Sequence, residues 1–438
     1  MYIVTLSHTE YIDFACRRIV NEMANHYSIL NIDLSHFYAT HSVITGGKDY
    51  INIVINENTP PRNTWQNILS REELRTELNN LWNVLGNIIK TYNIKAALIA
   101  DDVGHFEKLF ILFFNMHNIP VIHWVHGEEF TSLRDWYHPD EFPNNSKDNC
   151  IKNALTNVLP KGLNGLQHLC VNSQLDKIKL LYHGIMAQQI YVTGNPSLDY
   201  LSEIKRHSYK QKNSYKILYV STGFLKFNQR NLASAAYTFL KNIIINLDKK
   251  YTIDIRLKPG ENLKDLIDIY SFFTKIGIKI TDNSIPIEEQ MARYDAILLD
   301  KSSVCLKSVI LGFPTIIMRV PAIERYIPLA HYESMKLLTV QNENEVNNIF
   351  QKALSEEYID YQNQELKDNE FLLLHKNDGK SAMRIANFIQ KIIETKSLFH
   401  CKNNILEGIP IIQHNCIKTK IYNKIRKILR RCYADYSH

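Results

Sequence analysis

The sequence predicts an α/β protein built from two Rossmann-like domains that face a cleft, followed by a basic helical C-terminal tail. Three observations support this prediction. Short apolar runs alternate with longer amphipathic segments, as in the strands and helices of a parallel, doubly wound sheet. The pattern stops once, in a polar and basic stretch, and then restarts. The length of 438 residues also suits two domains better than one.

The restart of the pattern sets the predicted domain limits. The N-terminal domain is expected over residues 1–200, the C-terminal domain over residues 215–395 and the tail over residues 401–438. Strands are predicted in the first domain at residues 2–6, 28–34, 96–100, 120–124, 168–172 and 190–193. Strands are predicted in the second domain at residues 216–220, 252–257, 277–280, 296–299 and 315–318. Helices are predicted at residues 10–26, 102–118, 231–247 and 301–311.

Composition narrows the class of protein. Hydrophobic residues make up 45% and charged residues 22%, which excludes disordered and fibrous classes. The seven cysteines are scattered without a CxxC pair, so neither a disulfide framework nor a structural zinc site is expected. No nucleic-acid motif accompanies the net charge of +6, and we expect no nucleic-acid partner. No signal peptide or membrane-spanning run is recognised, so we expect a cytoplasmic protein, or one peripheral on the inner face of the plasma membrane.

The tail has a pattern of its own. Residues 417–431 interleave isoleucine, tyrosine and leucine with lysine and arginine. On a helix this pattern gives an apolar stripe beside a basic face, which could rest on an anionic membrane surface. The alternative is a helix that packs on the protein and turns its basic face to solvent.

Two strand ends of the first domain carry candidate bases. Asp101 and Asp102 follow the predicted strand at 96–100. His126 and Glu128 flank a glycine after the strand at 120–124. Ligands of open α/β sheets bind beyond the carboxyl ends of strands, and a desolvated carboxyl or an imidazole can remove a proton there. The alternatives are an aspartate that caps a helix and a turn with solvated acids and a structural histidine.

The strand ends of the second domain offer groups for phosphate. Ser302 and Ser303 lie where a strand enters a helix, a place that combines hydroxyls with unpaired N–H groups. The alternative for this pair is plain N-capping. Further candidates for donor binding are Thr222, Gly223, Lys258 and Pro259. Glu324 is expected to accept hydrogen bonds from a ribose.

The remaining predictions concern metal ions and the crossover between the two domains. The chain has no Asp-x-Asp motif, so no metal site and no cofactor are expected. Phosphate charge would then be offset by helix termini and by Lys258, Lys301 or Arg319. Residues 194–199 read Gly-Asn-Pro-Ser-Leu-Asp, a turn sequence expected to set the crossover between domains.

Taken in order, these motifs resemble the CDP-glycerol glycerophosphotransferases, the teichoic-acid polymerases of GT-B fold. The similarity rests on His126-Gly127, on residues 194–199, on Lys258-Pro259 and on Asp300-Lys301-Ser302-Ser303. In that family a turn histidine is the base, which implies this role for His126. The resemblance implies an acceptor domain followed by a nucleotide-donor domain.

A second resemblance is to the UDP-N-acetylglucosamine 2-epimerases. It rests on Glu128, residues 192–195, Arg319 and Glu324-Arg325. The sequence departs from that family after the first strand, where residues 7–10 read Ser-His-Thr-Glu instead of Gly-Thr-Arg-Pro-Glu. Bacterial sialic acid and Kdo transferases, which use CMP-linked donors, also have an acidic base in a place like that of Asp101 and Asp102.

These resemblances lead to one principal hypothesis and two alternatives. The principal hypothesis is a metal-independent transferase, a glycosyltransferase or a glycerophosphotransferase-like enzyme, that builds a bacterial surface glycan such as capsule or lipopolysaccharide. Its partners would be a nucleotide-sugar donor and a glycan or lipid-linked acceptor. The alternatives are an epimerase-like enzyme and a non-catalytic nucleotide-sugar binding protein. The donor base, the sugar and the acceptor stay open.

Overall fold

The structure is a computed structural model of the chain. It describes residues 1–6, 10–34, 50–54, 71–102, 105–125, 165–182, 185–208, 210–226, 229–281, 284–300, 302–324 and 335–395. The predicted basic tail and two of the candidate bases, His126 and Glu128, lie outside the described residues. In the described part, no helix is long and apolar enough to cross a membrane.

The first sheet contains seven described strands, all paired in parallel. They are β1 (Tyr2–Leu6), β2 (Ser28–Asp33), β3 (Tyr50–Val54), β4 (Ile94–Ile99), β5 (Val121–Trp124), β6 (His168–Val171) and β7 (Ile190–Val192). Their order is β3-β2-β1-β4-β5-β6-β7. The order reverses between β1 and β4, so the first Rossmann-like unit of the prediction is confirmed.

The strands of this sheet are apolar because both faces are covered. Ile3 and Val4 are consecutive in β1, and both are fully buried. Ile3 belongs to the core cluster that includes Trp124, whereas Val4 belongs to the one on the opposite face that includes Phe110. A strand covered on both faces has a continuous apolar run instead of alternation, which explains the pattern read from the sequence. The helices of this half are α1 (Glu10–Met23), α2 (Arg71–Thr91), α3 (His105–Met116) and α4 (Gln174–Tyr182).

The second sheet contains six described strands, again all parallel. They are β8 (Tyr215–Val220), β9 (Tyr251–Arg256), β10 (Ile280–Thr281), β11 (Ala296–Leu299), β12 (Thr315–Met318) and β13 (Leu338–Val340). Their order, β10-β9-β8-β11-β12-β13, is that of a Rossmann fold and reverses between β8 and β11. The second Rossmann-like unit is therefore confirmed as well.

Eight α-helices are described after β8. They are α5 (Arg230–Ile245), α6 (Ile267–Lys275), α7 (Ile287–Met291), α8 (Val304–Ile310), α9 (Pro321–Glu324), α10 (Val346–Ala353), α11 (Glu356–Leu373) and α12 (Ser381–Thr395). Several of these elements were not predicted from the sequence. Strands β3 and β13, helix α2 and helices α9 to α12 are additions that the structure makes.

The last described helix, α12, returns to the first sheet. Ile385 and Ile389 of α12 are fully buried in the same core cluster as Ile3 and Trp124. Helix α12 lies within residues 215–395 of the predicted C-terminal domain, yet its apolar face completes the core of the N-terminal half. Sequence order assigns α12 to the C-terminal domain, whereas packing assigns it to the N-terminal half. The exact domain limits therefore stay a prediction.

The crossover between the halves is built by residues 194–199. Gly194 has a positive φ of 87°, and a Cβ there would lie 2.4 Å from Ser381 Oγ. Arg384 of α12 donates from Nε to the carbonyl oxygen of Thr193 at 2.6 Å. Glycine is therefore required both by the backbone conformation and by the close approach of α12. The turn that the sequence indicated here is also the docking point of the returning helix.

Candidate functional site

The candidate site lies at the carboxyl edge of the second sheet. Strands β9, β8 and β11 are adjacent, and the order reverses between β8 and β11. Thr222 follows β8, Lys258 follows β9 and Ser302 follows β11. The topology therefore brings three of the sequence-predicted donor residues to one edge, where ligands of such sheets bind.

The side chain of Asp300 connects two strand ends at this edge. Its carboxylate is buried, at 1% exposure, and accepts hydrogen bonds from the Tyr219 hydroxyl at 2.9 Å and from the Thr222 hydroxyl. Burial, followed by the repulsion of the Asp300 charge, raises the pKa of Tyr219 well above its usual range. Tyr219 therefore stays a neutral donor. Asp300 ties the turn after β8 to the end of β11, and the Thr222 hydroxyl is engaged in that tie.

The Lys258 side chain packs closely against Gly223. The φ of Gly223 is +88°, and a Cβ at this position would lie 2.4 Å from Lys258 Cδ. The aliphatic part of Lys258 therefore lies across the turn after β8. The Gly223 N–H donates to Ser221 Oγ at 3.0 Å. The sequence predicted Gly223 as a donor-binding residue, and the structure adds that this glycine makes room for a lysine.

Lys258 is partly buried among charges of both signs. The pKa of its ammonium group is lowered, first by burial and then by the nearby charge of Lys226, while Asp300 and Glu261 oppose the shift. The Lys258 backbone N–H donates to Glu261 Oε2 at 3.3 Å, and the Glu261 N–H donates to the Lys258 carbonyl at 2.9 Å. This reciprocal pair closes the turn that contains the exposed Pro259.

The helix after β11 begins later than the sequence predicted. Helix α8 begins at Val304, and the Ser302 hydroxyl accepts a hydrogen bond from the Val304 N–H at 3.3 Å. This contact is a local turn bond, because the N-cap residue of α8 is Ser303. Ser303 is exposed and makes no capping bond with its side chain. Of the pair, Ser303 presents its hydroxyl to solvent, and the phosphate role of both stays a prediction.

The two aspartates after β4 differ in environment. Asp101 is partly exposed and accepts a hydrogen bond from the Asp102 N–H at 2.7 Å. Asp102 is fully buried, and its Oδ2 accepts from Gln167 Nε2 at 2.6 Å. Asp101 is therefore the member of the pair whose side chain reaches solvent.

A buried polar cluster surrounds Asp102. His123 of β5 is fully buried, and its Nδ1 lies 3.5 Å from Asp102 Oδ2 and 3.3 Å from Gln167 Nε2. The cluster of Asp102, His123 and Gln167 occupies the sheet face covered by α3. Sequence analysis missed His123 and Gln167. The available signal was a polar residue within the otherwise apolar strand at 120–124, because buried polar groups are as a rule hydrogen-bonded.

The segment that joins the halves is held by a largely buried ion pair. Lys307 of α8 donates to Glu288 Oε1 at 2.7 Å and to the Tyr200 hydroxyl at 2.7 Å. Tyr200 also donates to Glu288. Burial would raise the pKa of Glu288, but the adjacent Lys307 charge and these hydrogen bonds lower it overall. The cluster fixes the start of the linker on the second half.

A groove lies beside the carboxyl edge of the second sheet. It has a volume of about 520 Å³, within the range of small-molecule sites, and runs between α5 and the residues that follow β12. Asn231, in the first turn of α5, places one end of the groove near the turn after β8. The other lining residues are Ser234, Ala235, Thr238, Phe239, Asn242, Val320, Pro321 and Ala322.

The remaining predicted site residues can be placed only in part. His126 and Glu128 lie outside the described residues, so their relation to Asp101 stays a prediction. Glu324 is the last residue of α9, two residues after the groove-lining Ala322. Within the described part, no group of three or more histidine, cysteine, aspartate or glutamate side chains is arranged to hold a metal ion.

Solved structures share this architecture. A putative UDP-N-acetylglucosamine 2-epimerase from Listeria monocytogenes is 15% identical with a TM-score of 0.56, covering 90% of this chain and 97% of that chain. A UDP-GlcNAc 2-epimerase from Neisseria meningitidis bound to UDP-GlcNAc is 13% identical with a TM-score of 0.54, covering 89% and 100%. The wall teichoic acid polymerase TagF is 14% identical with a TM-score of 0.51, covering 90% and 89%.

The chain has the GT-B fold. No family model matches the sequence, and no curated protein sequence matches it significantly. The similarity to the solved structures is therefore a similarity of fold. It confirms the predicted fold, and structures from both named families are among the similar ones. In GT-B terms, the edge formed by β8, β9 and β11 belongs to the second of the two domains.

Proposed function

We propose that the chain is a GT-B transferase that uses a nucleotide-activated donor to build a bacterial surface glycan or polymer, without a metal ion. One observation carries the proposal: Lys258 lies across Gly223 at the point where the strand order of the second sheet reverses. A cation at this edge can offset the charge of a leaving nucleotide. The solved GT-B structure bound to UDP-GlcNAc supports this donor class.

The catalytic step divides the roles between the two halves. An acceptor hydroxyl is deprotonated by His126, Asp101 or Glu128 and attacks the donor carbon or phosphorus. The oxygen of the departing phosphate takes the electron pair, and its charge is offset by Lys258 and by the hydroxyls near Ser303. Asp102 is fully buried and accepts a hydrogen bond from Gln167. In this proposal it therefore holds Asp101 in position and does not take up the proton itself.

A binding screen tests the donor site first. Thermal unfolding is measured with CMP, CDP, UDP and GDP, since a ligand that binds the folded state raises the melting temperature. We expect at least one nucleotide to raise it and Lys258→Gln to abolish the rise. If none of the four nucleotides binds to the wild-type chain, the proposed function is wrong.

Substitutions of the candidate bases test the reaction. His126→Ala should abolish turnover and leave nucleotide binding nearly unchanged. Full turnover in this variant would remove His126 from the mechanism. Asp101→Asn should lower turnover at unchanged stability, whereas Asp102→Asn should lower stability as well, because Asp102 belongs to the buried cluster.

The epimerase alternative is separated by its product. Several of the similar structures are UDP-GlcNAc 2-epimerases. Incubation with UDP-GlcNAc followed by NMR detects a change at the sugar C2 without any acceptor, and such a change would favour epimerisation over transfer. Nucleotide binding without turnover for any acceptor would instead indicate a binding protein.

A further inference from the structure

A second lysine lies beside Lys258. Lys226 belongs to the turn after β8 and is partly buried. Its Cδ and Cε lie 3.7 Å from the position that a Cβ on Gly260 would take. Sequence analysis did not single out this residue.

The two lysines reach across each other's turns. Lys258 follows β9 and lies over Gly223 after β8, whereas Lys226 follows β8 and lies beside Gly260 after β9. Because β8 and β9 are paired, both cations lie at one edge of the sheet. Their proximity is costly without a ligand, since like charges repel most strongly where water is partly excluded.

The charges around the two lysines are unequal. Asp300 and Glu261 both attract Lys258. In the part of the chain that the structure describes, no carboxylate forms an ion pair with Lys226, and burial alone lowers its pKa. The edge therefore holds one cation that nearby carboxylates offset and one that they do not.

We propose that Lys226 binds the second phosphate of a nucleoside diphosphate-linked donor, next to Lys258, and so selects diphosphate over monophosphate donors. The inference rests on the proposed function of this site. A nucleoside diphosphate ester has a charge on each of two adjacent phosphates, which matches two adjacent lysines. A CMP-linked donor has one such charge and leaves Lys226 without a partner.

The test compares nucleotide pairs by isothermal titration calorimetry on the full chain. UDP and CDP are compared with UMP and CMP, and pyrophosphate serves as a probe without a nucleoside. In the wild type we expect the diphosphates to bind more tightly than the monophosphates by about tenfold or more. Lys226→Gln should reduce this ratio to less than about twofold while monophosphate affinity stays the same.

Two matched variants complete the design. Lys226→Arg keeps the charge and should keep the preference. Lys249→Gln removes an exposed lysine from the turn before β9, at the opposite end of the strands, and should change nothing. An unchanged diphosphate preference in Lys226→Gln overturns the inference, even though nucleotide binding by the wild type upholds the proposed function. If the wild type binds neither nucleotides nor pyrophosphate, both are wrong.

Discussion

The carboxylate of Asp199 accepts a hydrogen bond from the backbone N–H of Ser381 at 3.0 Å. It also accepts one from the Ala382 N–H at 2.8 Å, so a residue of the crossover caps the first turn of α12. The Asp199 side chain therefore joins two distant parts of the chain, and its negative charge lies at the positive end of the helix.

Asp199→Ala should destabilise the protein. The substitution leaves two buried N–H groups without their acceptor, and loss of a cap costs about 1–2 kcal/mol. Urea unfolding followed by circular dichroism measures the change. Asp360→Ala, at an exposed position of α11, is the control and should change the free energy of unfolding by less than about 0.7 kcal/mol. Equal midpoints for the two variants would contradict the capping role.

Gly223→Ala should weaken both stability and nucleotide binding. The alanine Cβ would overlap the Lys258 side chain in a backbone conformation that disfavours it, at a cost of about 1–3 kcal/mol. Calorimetry of unfolding and of UDP binding checks both effects. Gly86→Ala is the matched control, because a Cβ there meets nothing within 4 Å and helix α2 should gain up to about 1 kcal/mol. A stabilised Gly223→Ala variant would show that Lys258 does not lie across this turn.

Lys307→Met should be more harmful alone than together with Glu288→Gln. The single substitution leaves the Glu288 charge largely buried without its partner, which costs about 3–5 kcal/mol for a fully buried pair. The double substitution removes both charges and should recover part of the loss. A double-mutant cycle by urea unfolding measures the interaction energy. Additive effects would mean that the two side chains do not interact.

His207 should make stability fall in mild acid. It stacks on Phe313 with ring centroids 4.4 Å apart, and burial lowers the pKa of its imidazole below the usual 6.5. The unfolded chain therefore takes up the proton first, so this contribution is absent well above pH 6.5 and becomes unfavourable as the pH falls below it. His207→Phe keeps the stacked ring and should reduce the fall in melting temperature between pH 7.5 and 5.5 by about 1–3 °C.

An exposed histidine provides the control for this pH experiment. His26→Phe changes an exposed residue of the turn after α1 and should retain the wild-type pH dependence. If His207→Phe retains it as well, titration of His207 does not contribute to acid sensitivity.

The sequence predicts the central strands best. Strands β11 and β12 were predicted to the residue, because their short apolar runs end in turn residues. Strand β13 has three residues and was missed. Strand β3, at the edge of its sheet, was missed as well. Local pattern identifies the strands that are buried on both faces, whereas two of the four described edge strands, β3 and β13, were missed.

The candidate site was predicted less completely, for physical reasons. Thr222, Lys258 and Ser302 were found because they follow strands, and topology brings them together. Lys226 was missed because it is the sixth residue after its strand, whereas Thr222 and Lys258 are the second and Ser302 is the third. The residue beside it, Gly260, also belongs to another strand end. Contacts between turns depend on strand order, which a linear reading does not contain.

The return of α12 has a mechanical consequence. The chain passes between the two halves once through residues 194–199 and again before Ser381, and the two passes touch. A Cβ on Gly379 would lie 2.4 Å from Ser202 Oγ and 3.1 Å from the Asp199 carbonyl oxygen. Two covalent passes joined at one place work as a single hinge with a short axis. Sliding one half along the other would have to pull α12 out of the core that it completes.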